Sequence, residues 1–252
     1  MSGNFGDLAY DAPFIAQEGG VQSLHFSHGE VQSSMRLDRP DELQVDYTRT
    51  MMGFLLLQPQ PRNIALIGLG GGSLVKFCRR HLPAARITAV EINPQVIAMR
   101  RQFHIPDDDA RLAVLTADGA LWIREAQDSL DVLLVDGFDA GGQPPALCSQ
   151  VFYDDCFRAL APGGLLVANL HHDHPEHPGF LDRIAQAFLG NAMQVVSREK
   201  GNCVVFAGRR RPVTLQALRS LAWAGTLPPA AQRELRGEFA HIGWNACALT
   251  HP

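Results

Sequence analysis

Between Arg62 and Ala207, apolar runs of about five residues alternate with amphipathic stretches of helical period. Continuous apolar runs suit strands buried on both faces, and helical spacers between them are the pattern of βαβ units around a parallel sheet. The predicted strands are Asn63 to Ile67, Arg86 to Val90, Leu112 to Thr116, Leu130 to Val135, Leu165 to Asn169, Met193 to Ser197 and Cys203 to Ala207. Only Arg198 to Asn202 separates the last two, too few residues for a crossover helix, so these are predicted to form an antiparallel pair at one sheet edge.

The flanks read differently. Short β-like runs at Pro13 to Gln17, Val21 to Phe26 and Glu30 to Leu37, divided by Gly19-Gly20 and His28-Gly29, predict a small antiparallel hairpin unit. Asp41 is expected to cap a helix running to Gln58, closed by Pro59 and Pro61. The tail from Pro212 holds two helix-like stretches, expected on the sheet or on a second subunit, with a homodimer as the expected assembly. No internal repeat is visible. Five βα units ending in an antiparallel strand give an α/β, Rossmann-like sheet of the S-adenosylmethionine type with a small N-terminal β unit. The expected division is 1–60 for that unit and its helix, 61–210 for a nucleoside-binding catalytic domain, and 211–252 for a helical extension.

Composition narrows the function classes. With 252 residues, 46% hydrophobic and 19% charged, the chain can bury a substantial core, which excludes a disordered or low-complexity protein. No apolar stretch approaches the roughly 20 residues of a membrane helix, so no membrane partner is expected. The opening Met-Ser-Gly-Asn-Phe-Gly-Asp has no basic or apolar leader region, so no signal peptide and a cytoplasmic location are expected. Five scattered cysteines without a Cys-x-x-Cys pair read as reduced thiols, with no metal expected. Twenty-two basic against 26 acidic side chains leave a formal charge of −4, which argues against nucleic acid as the partner.

Candidate chemistry clusters after the strands. Gly68-Leu69-Gly70-Gly71-Gly72-Ser73 follows the first, a turn in which residues without Cβ let a ligand approach backbone at a helix N-terminus. Glu91 ends the second strand, 19 residues beyond Gly72, where a carboxylate can accept both hydroxyls of an adenosine ribose; capping the helix at Pro94 is the plainer role. Asp118-Gly119 follows the third, placed to accept from an adenine amino group, to cap the next helix, or both. Asp136 and Asp139, three apart beyond the fourth strand, suit a cation or proton removal from an amine.

The ordered set formed by the glycine turn, Val90-Glu91-Ile92-Asn93-Pro94, Ala117-Asp118-Gly119, Val135-Asp136 with Asp139, Cys148 to Tyr153 and Leu160-Ala161-Pro162-Gly163-Gly164 resembles the spermidine/spermine synthase family of aminopropyltransferases. The resemblance covers roughly residues 20 to 210. It implies Asp139 as the catalytic aspartate with Asp136 its neighbour, Glu91 on the ribose and Asp118 on the adenine. Tyr47 resembles the tyrosine of the family's Tyr-His-Glu-Met segment, followed here by Thr48 and Arg49, and Gln32 is similar to a strand glutamine of the family. The implied cofactor-binding set is Gln32, Gly68, Gly70, Gly72, Glu91, Asp118, Gly119 and Asp136, and the catalytic set is Asp139, Tyr47 and Asp136.

The implied donor is decarboxylated S-adenosylmethionine and the implied partner a small-molecule amine acceptor. Gly71 stands where the family carries an aspartate for the donor's aminopropyl ammonium, and Arg198 to Asn202 replaces its Pro-Thr-Tyr-Pro segment. These departures keep two alternatives open: a methyltransferase using intact S-adenosylmethionine, and a non-catalytic nucleoside-binding homologue. His171 to His177, rich in His and carboxylates, reads as a polar loop or lid over the acceptor pocket rather than as a metal site, because Pro175 and Pro178 break any helical ligand spacing.

Overall fold

The structure, a computed structural model, describes residues 12–26, 31–139, 141–199, 201–220 and 225–249. The leader reading at Met1 to Asp7, the His28-Gly29 turn and the strand start at Glu30 fall outside the described residues.

A three-stranded antiparallel sheet opens the fold: β1 (Phe14–Glu18), β2 (Val21–His25) and β3 (Ser33–Arg36), in that order. Two short helices follow, α1 (Asp46–Met51) and α2 (Phe54–Leu57). The single helix expected from Asp41 to Gln58 starts later, at Asp46, and is interrupted at Met52 and Gly53, while its end at Gln58 is as expected. Asp41 is turned outward into an ion pair with Arg80 and caps nothing, while the Leu43 and Gln44 carbonyls accept from the Arg49 guanidinium instead of entering a helix. A Cβ at Gly53 would sit 2.6 Å from Ile242 Cδ1 and 2.8 Å from Phe206 Cζ. Met52 and Gly53 keep right-handed helical backbone, and the ladder tightens there to a 3₁₀-like step, with Gly53 N donating to Thr50 O at 2.8 Å and Leu56 N to Gly53 O at 3.0 Å.

The main body is built from β4 (Asn63–Ile67), α3 (Ser73–His81), β5 (Arg86–Glu91), α4 (Pro94–Ala98), β6 (Leu112–Thr116), α5 (Gly119–Glu125), β7 (Leu130–Val135), a 3₁₀ turn (Pro145–Cys148), α6 (Gln150–Ala159), β8 (Leu160–His171), α7 (His177–Ala187), β9 (Ala192–Val196) and β10 (Asn202–Gly208). The tail adds α8 (Leu215–Leu218), α9 (Pro229–Asn245) and β11 (Cys247–Ala248). The sheet order is β11-β9-β10-β8-β7-β4-β5-β6. Strands β4 to β8 pair in parallel, whereas β10 runs antiparallel to both β8 and β9.

Two expectations need adjustment. The β9 and β10 pair is antiparallel as predicted, but β11 hydrogen-bonds beyond β9 and takes the edge. Strand β8 begins five residues earlier than expected, because Ala161-Pro162-Gly163-Gly164 forms a bulge against β7, with pairing stepping from Leu130 and Leu160 to Val132 and Leu165. Gly163, at φ 93, makes that step, and its carbonyl accepts from Arg211 Nε.

Alternation along the central strands fills two cores. Leu66, Leu134, Val167 and Phe206 face one side with α1, α2, α3 and α9, while Ile67, Val135, Ala168 and Val205 face the other with α5, α6 and α7. Leu24 and Met35 of the N-terminal sheet join the first core. The buried Glu238 of α9 accepts from Thr50 Oγ1 at 2.7 Å and pairs with Arg198, which ties the tail to α1. Asp46 fixes the other end of α1, since its Oδ2 accepts from the Arg198 and Glu199 backbone N–H groups at 2.8 and 3.2 Å. Among the described residues no helix is long and apolar enough to cross a membrane.

Candidate active site

The sheet order reverses at β4, with β5 and β6 on one side and β7 and β8 on the other, and ligands of open α/β sheets bind at the strand ends beside such a reversal. A cavity of about 340 Å³ lies there. Its floor is the glycine turn. Gly68, Gly70 and Gly72 adopt φ of 93, 49 and 65, a region that L side chains avoid. At Gly68 a Cβ would also fall 2.2 Å from the Asp136 carbonyl oxygen, so glycine is what allows the β4 and β7 loops to touch.

Glu91, buried at the tip of β5, grips this turn. Its Oε2 accepts from Leu69 N at 2.9 Å and its Oε1 from Asn93 N at 2.8 Å. Burial raises its carboxyl above the ordinary range, opposed by those backbone N–H groups. Asn93, not Glu91, caps α4, accepting from Gln95 N at 2.9 Å. Asp118 caps α5 through Ala120 N and Leu121 N at 2.7 and 3.2 Å while also lining the cavity, so capping and lining coexist. Gly119 lines it too, and a Cβ there would meet Ile67 Cγ2 at 2.4 Å; its first reason to be glycine is the packing of α5 on β4.

Beyond β7 the two aspartates differ in setting. Asp136 receives Tyr47 Oη on Oδ2 at 3.2 Å and Asn169 Nδ2 on Oδ1 at 2.9 Å, and Asn202 Nδ2 in turn donates to Asn169 Oδ1 at 3.0 Å. Desolvation in this corner pushes the Asp136 carboxyl up to about 6 against the help of those donors, and burial with the facing carboxylate pushes the Tyr47 phenol well above 10. Asp139 is exposed, held by a tight turn in which its N–H and carbonyl both bond to Gly142 and its Oδ1 accepts from Gly141 N at 2.8 Å.

A second cavity of about 210 Å³ opens toward Asn169, His171 and Asn202. The two share Gln32, Val45, Tyr47, Phe138 and Asp139 as walls. Four carboxylates, Glu91, Asp118, Asp136 and Asp139, line the larger, and no Lys or Arg is among the described residues lining either. The arrangement suits a cationic nucleoside in one chamber and an amine in the other.

The structure therefore brings Gln32, Tyr47, Gly68, Gly70, Glu91, Asp118, Gly119, Asp136 and Asp139 to one cavity wall, whereas Gly72 lies behind it as the left-handed residue that starts α3. Sequence reasoning missed Asn169, Asn202 and Ser33. A polar residue at the end of an apolar strand on the ligand edge was the available signal for Asn169. Gly71 is buried, and a Cβ there would meet Ser33 Oγ at 2.6 Å and Phe103 Cδ1 at 2.9 Å. The space beside Gly71 is taken by Ser33 of β3, itself a cavity residue.

Comparison with known proteins gives the family and the fold. The spermine/spermidine synthase domain model matches residues 44–198. The chain is 41% identical over 211 residues to a polyamine aminopropyltransferase of Chromobacterium violaceum, covering 82% of this chain and 81% of that one. It is 40% identical over 200 residues to its counterpart in Neisseria meningitidis, covering 79% and 76%. A probable spermidine synthase from Corynebacterium glutamicum shares the fold with a TM-score of 0.69 at 21% identity, over 95% of this chain and 92% of that one. Human methyltransferase-like protein 13, solved with SAH, gives a TM-score of 0.63 at 25% identity over 77% and 93%. On the matched domain and on relatives that align over most of their length, the chain belongs to the spermine/spermidine synthase family.

Proposed function

We propose that the protein is a polyamine aminopropyltransferase, moving the aminopropyl group of decarboxylated S-adenosylmethionine to a small amine. The observation that carries this reading is a chamber lined by four carboxylates that shares Tyr47 and Asp139 as walls with a smaller polar one. The nucleoside would lie over Gly68 to Gly70, with its ribose on Glu91 and its base beside Asp118. The sulfonium and the propyl ammonium would then face Asp136, Gln32 and Ser33.

The amine lone pair attacks the carbon attached to the sulfonium. The C–S bond breaks with its electron pair returning to sulfur, and methylthioadenosine leaves as a neutral thioether that needs no acid. Asp139 would hold the acceptor N–H in line and take the proton released as the new C–N bond forms, passing it to the solvent at its exposed side. Tyr47, fixed by Asp136, would orient the amine. No cofactor beyond the donor enters this chemistry.

A methyltransferase reading draws on Gly71 and on the likeness to a methyltransferase fold. It is disfavoured by the acidic lining, since intact S-adenosylmethionine would bring a carboxylate among four others with no Lys or Arg among the described lining residues to receive it. The deciding experiment is incubation with each donor and a set of linear diamines, followed by mass spectrometry. Methylthioadenosine and an aminopropylated amine from the decarboxylated donor are expected. S-adenosylhomocysteine from the intact donor would replace this reading with the second, and tight nucleoside binding without transfer would leave a binding protein.

A pH dependence follows from Asp136. Its carboxyl lies at about 6 in the ligand-free protein, against an ordinary 3.8, so it is protonated below that pH and anionic above it. A cationic donor favours the anion. Donor affinity is therefore expected to rise from about pH 4 to 7, by at most roughly tenfold per unit, with proton release near pH 6. Calorimetry in buffers of differing ionisation enthalpy reads that proton, and Asp136→Asn is expected to abolish it. For the ligand-free fold, a raised pKa means that the stability from this group is fully present below 3.8 and lost as pH climbs through about 6.

A further inference from the structure

On the face of the sheet that carries α7, three side chains converge that the transfer chemistry does not use. His172 follows the end of β8, His177 begins α7 and Cys203 lies in β10, and one donor atom from each lies within 4.8 Å of the others. The rings of His172 and His177 stand edge to face, their centroids 5.1 Å apart. His177 is 6% exposed and neither of its ring nitrogens makes a hydrogen bond of ordinary geometry, the side chain of Gln194 and the backbone of His171 being its nearest polar neighbours. Cys203 is fully buried, while His172 is exposed and gives an entry path from solvent.

We propose that His172, His177 and Cys203 form a binding site for a thiophilic divalent transition ion, zinc(II) first, with the fourth position left to water. Two imidazoles and a thiolate are the donors that zinc prefers, and they exclude magnesium and calcium, which take oxygen ligands. Donors spread over as much as 4.8 Å must draw in somewhat to reach bonds of about 2.0 to 2.3 Å. The movable member is His172, on the exposed turn. The surroundings already hold the set: Cys203 Sγ donates to Gln194 Oε1 at 3.4 Å, and the backbone N–H of His172 donates to the Gly201 carbonyl at 2.9 Å, which fixes the turn that carries the ring.

Sequence spacing concealed this site, because the prolines rule out a helical pair and the third ligand comes from a strand 26 residues after His177. A bound ion would join β8, α7 and β10 one residue beyond His171, whose ring packs on Phe138 at 5.0 Å and lines the smaller chamber. Metal loading would thereby stiffen a wall of that chamber.

Cobalt(II), a spectroscopic stand-in for zinc, titrated into chelator-treated full-length protein tests the site. One ion per chain is expected, with a thiolate-to-cobalt charge-transfer absorption that zinc displaces, and a rise in melting temperature with zinc. Cys203→Ser should abolish that absorption. His172→Gln, a change at an exposed residue that leaves the fold intact, should weaken binding by more than the roughly 10–100-fold typical of outer-shell changes. Cys247→Ser should retain both. No thiolate absorption, unchanged affinity in His172→Gln, or loss of the absorption in Cys247→Ser alone would overturn the proposal and leave an adventitious ion only.

Discussion

Replacing Asp139 by Asn is expected to lower kcat by about 10²- to 10⁴-fold while leaving donor affinity within a few-fold of wild type. The separation follows from where Asp139 sits. Its Oδ1 is occupied by the Gly141 N–H and its backbone is bonded both ways to Gly142, so the turn has its own supports, and an asparagine keeps the acceptor that Gly141 needs. What the amide lacks is charge and proton affinity at the second oxygen, on the wall common to both chambers. Asp136, by contrast, is held by Tyr47 and Asn169, so its replacement should disturb donor affinity and the position of Tyr47 together. Single-turnover rates beside calorimetric titration of the donor resolve the two cases. Normal turnover in Asp139→Asn would mean that another group handles the acceptor amine.

Much of the ligand edge was legible in the chain because it obeys a local rule: an apolar strand ends, and the next residue faces the ligand. Glu91, Asp118 and Asp136 each stand directly at or just past such an end, and the glycine turn announces itself by composition. The less legible features arise from elements distant in sequence. Asn202 belongs with Asn169 because an antiparallel strand returns beside β8, and nothing near either residue encodes that meeting. Ser33 fills the space beside Gly71 because a sheet from the first 36 residues folds over the β4 turn. Glycine at position 53 follows the same logic, since Phe206 and Ile242, distant in sequence, leave no room for a Cβ there. The two-residue β11 is too short to carry a period at all.

Glu91→Ala is expected to reduce donor affinity by about 10²- to 10⁴-fold, from the loss of two charge-assisted hydrogen bonds to the ribose at ~1.5–3 kcal/mol each. Binding alone does not establish that role, because each carboxylate oxygen already accepts a backbone N–H, one from the glycine turn and one from the approach to α4. Removing the carboxylate leaves both donors buried and unpaired, at ~1–3 kcal/mol apiece, so the ligand-free protein should also melt earlier. A carboxylate oxygen has room for a second donor beside the first, so the two duties are compatible. Their separation lies in comparison with Leu69→Pro, which deletes the turn's N–H and leaves the carboxylate, and in Glu91→Gln, which keeps one acceptor oxygen but turns an NH₂ toward a backbone donor. If stability alone falls in Glu91→Ala while the donor binds as before, Glu91 is a brace for the turn and the ribose is held elsewhere. If affinity falls well beyond what the melting shift accounts for, the carboxylate contacts the nucleoside directly.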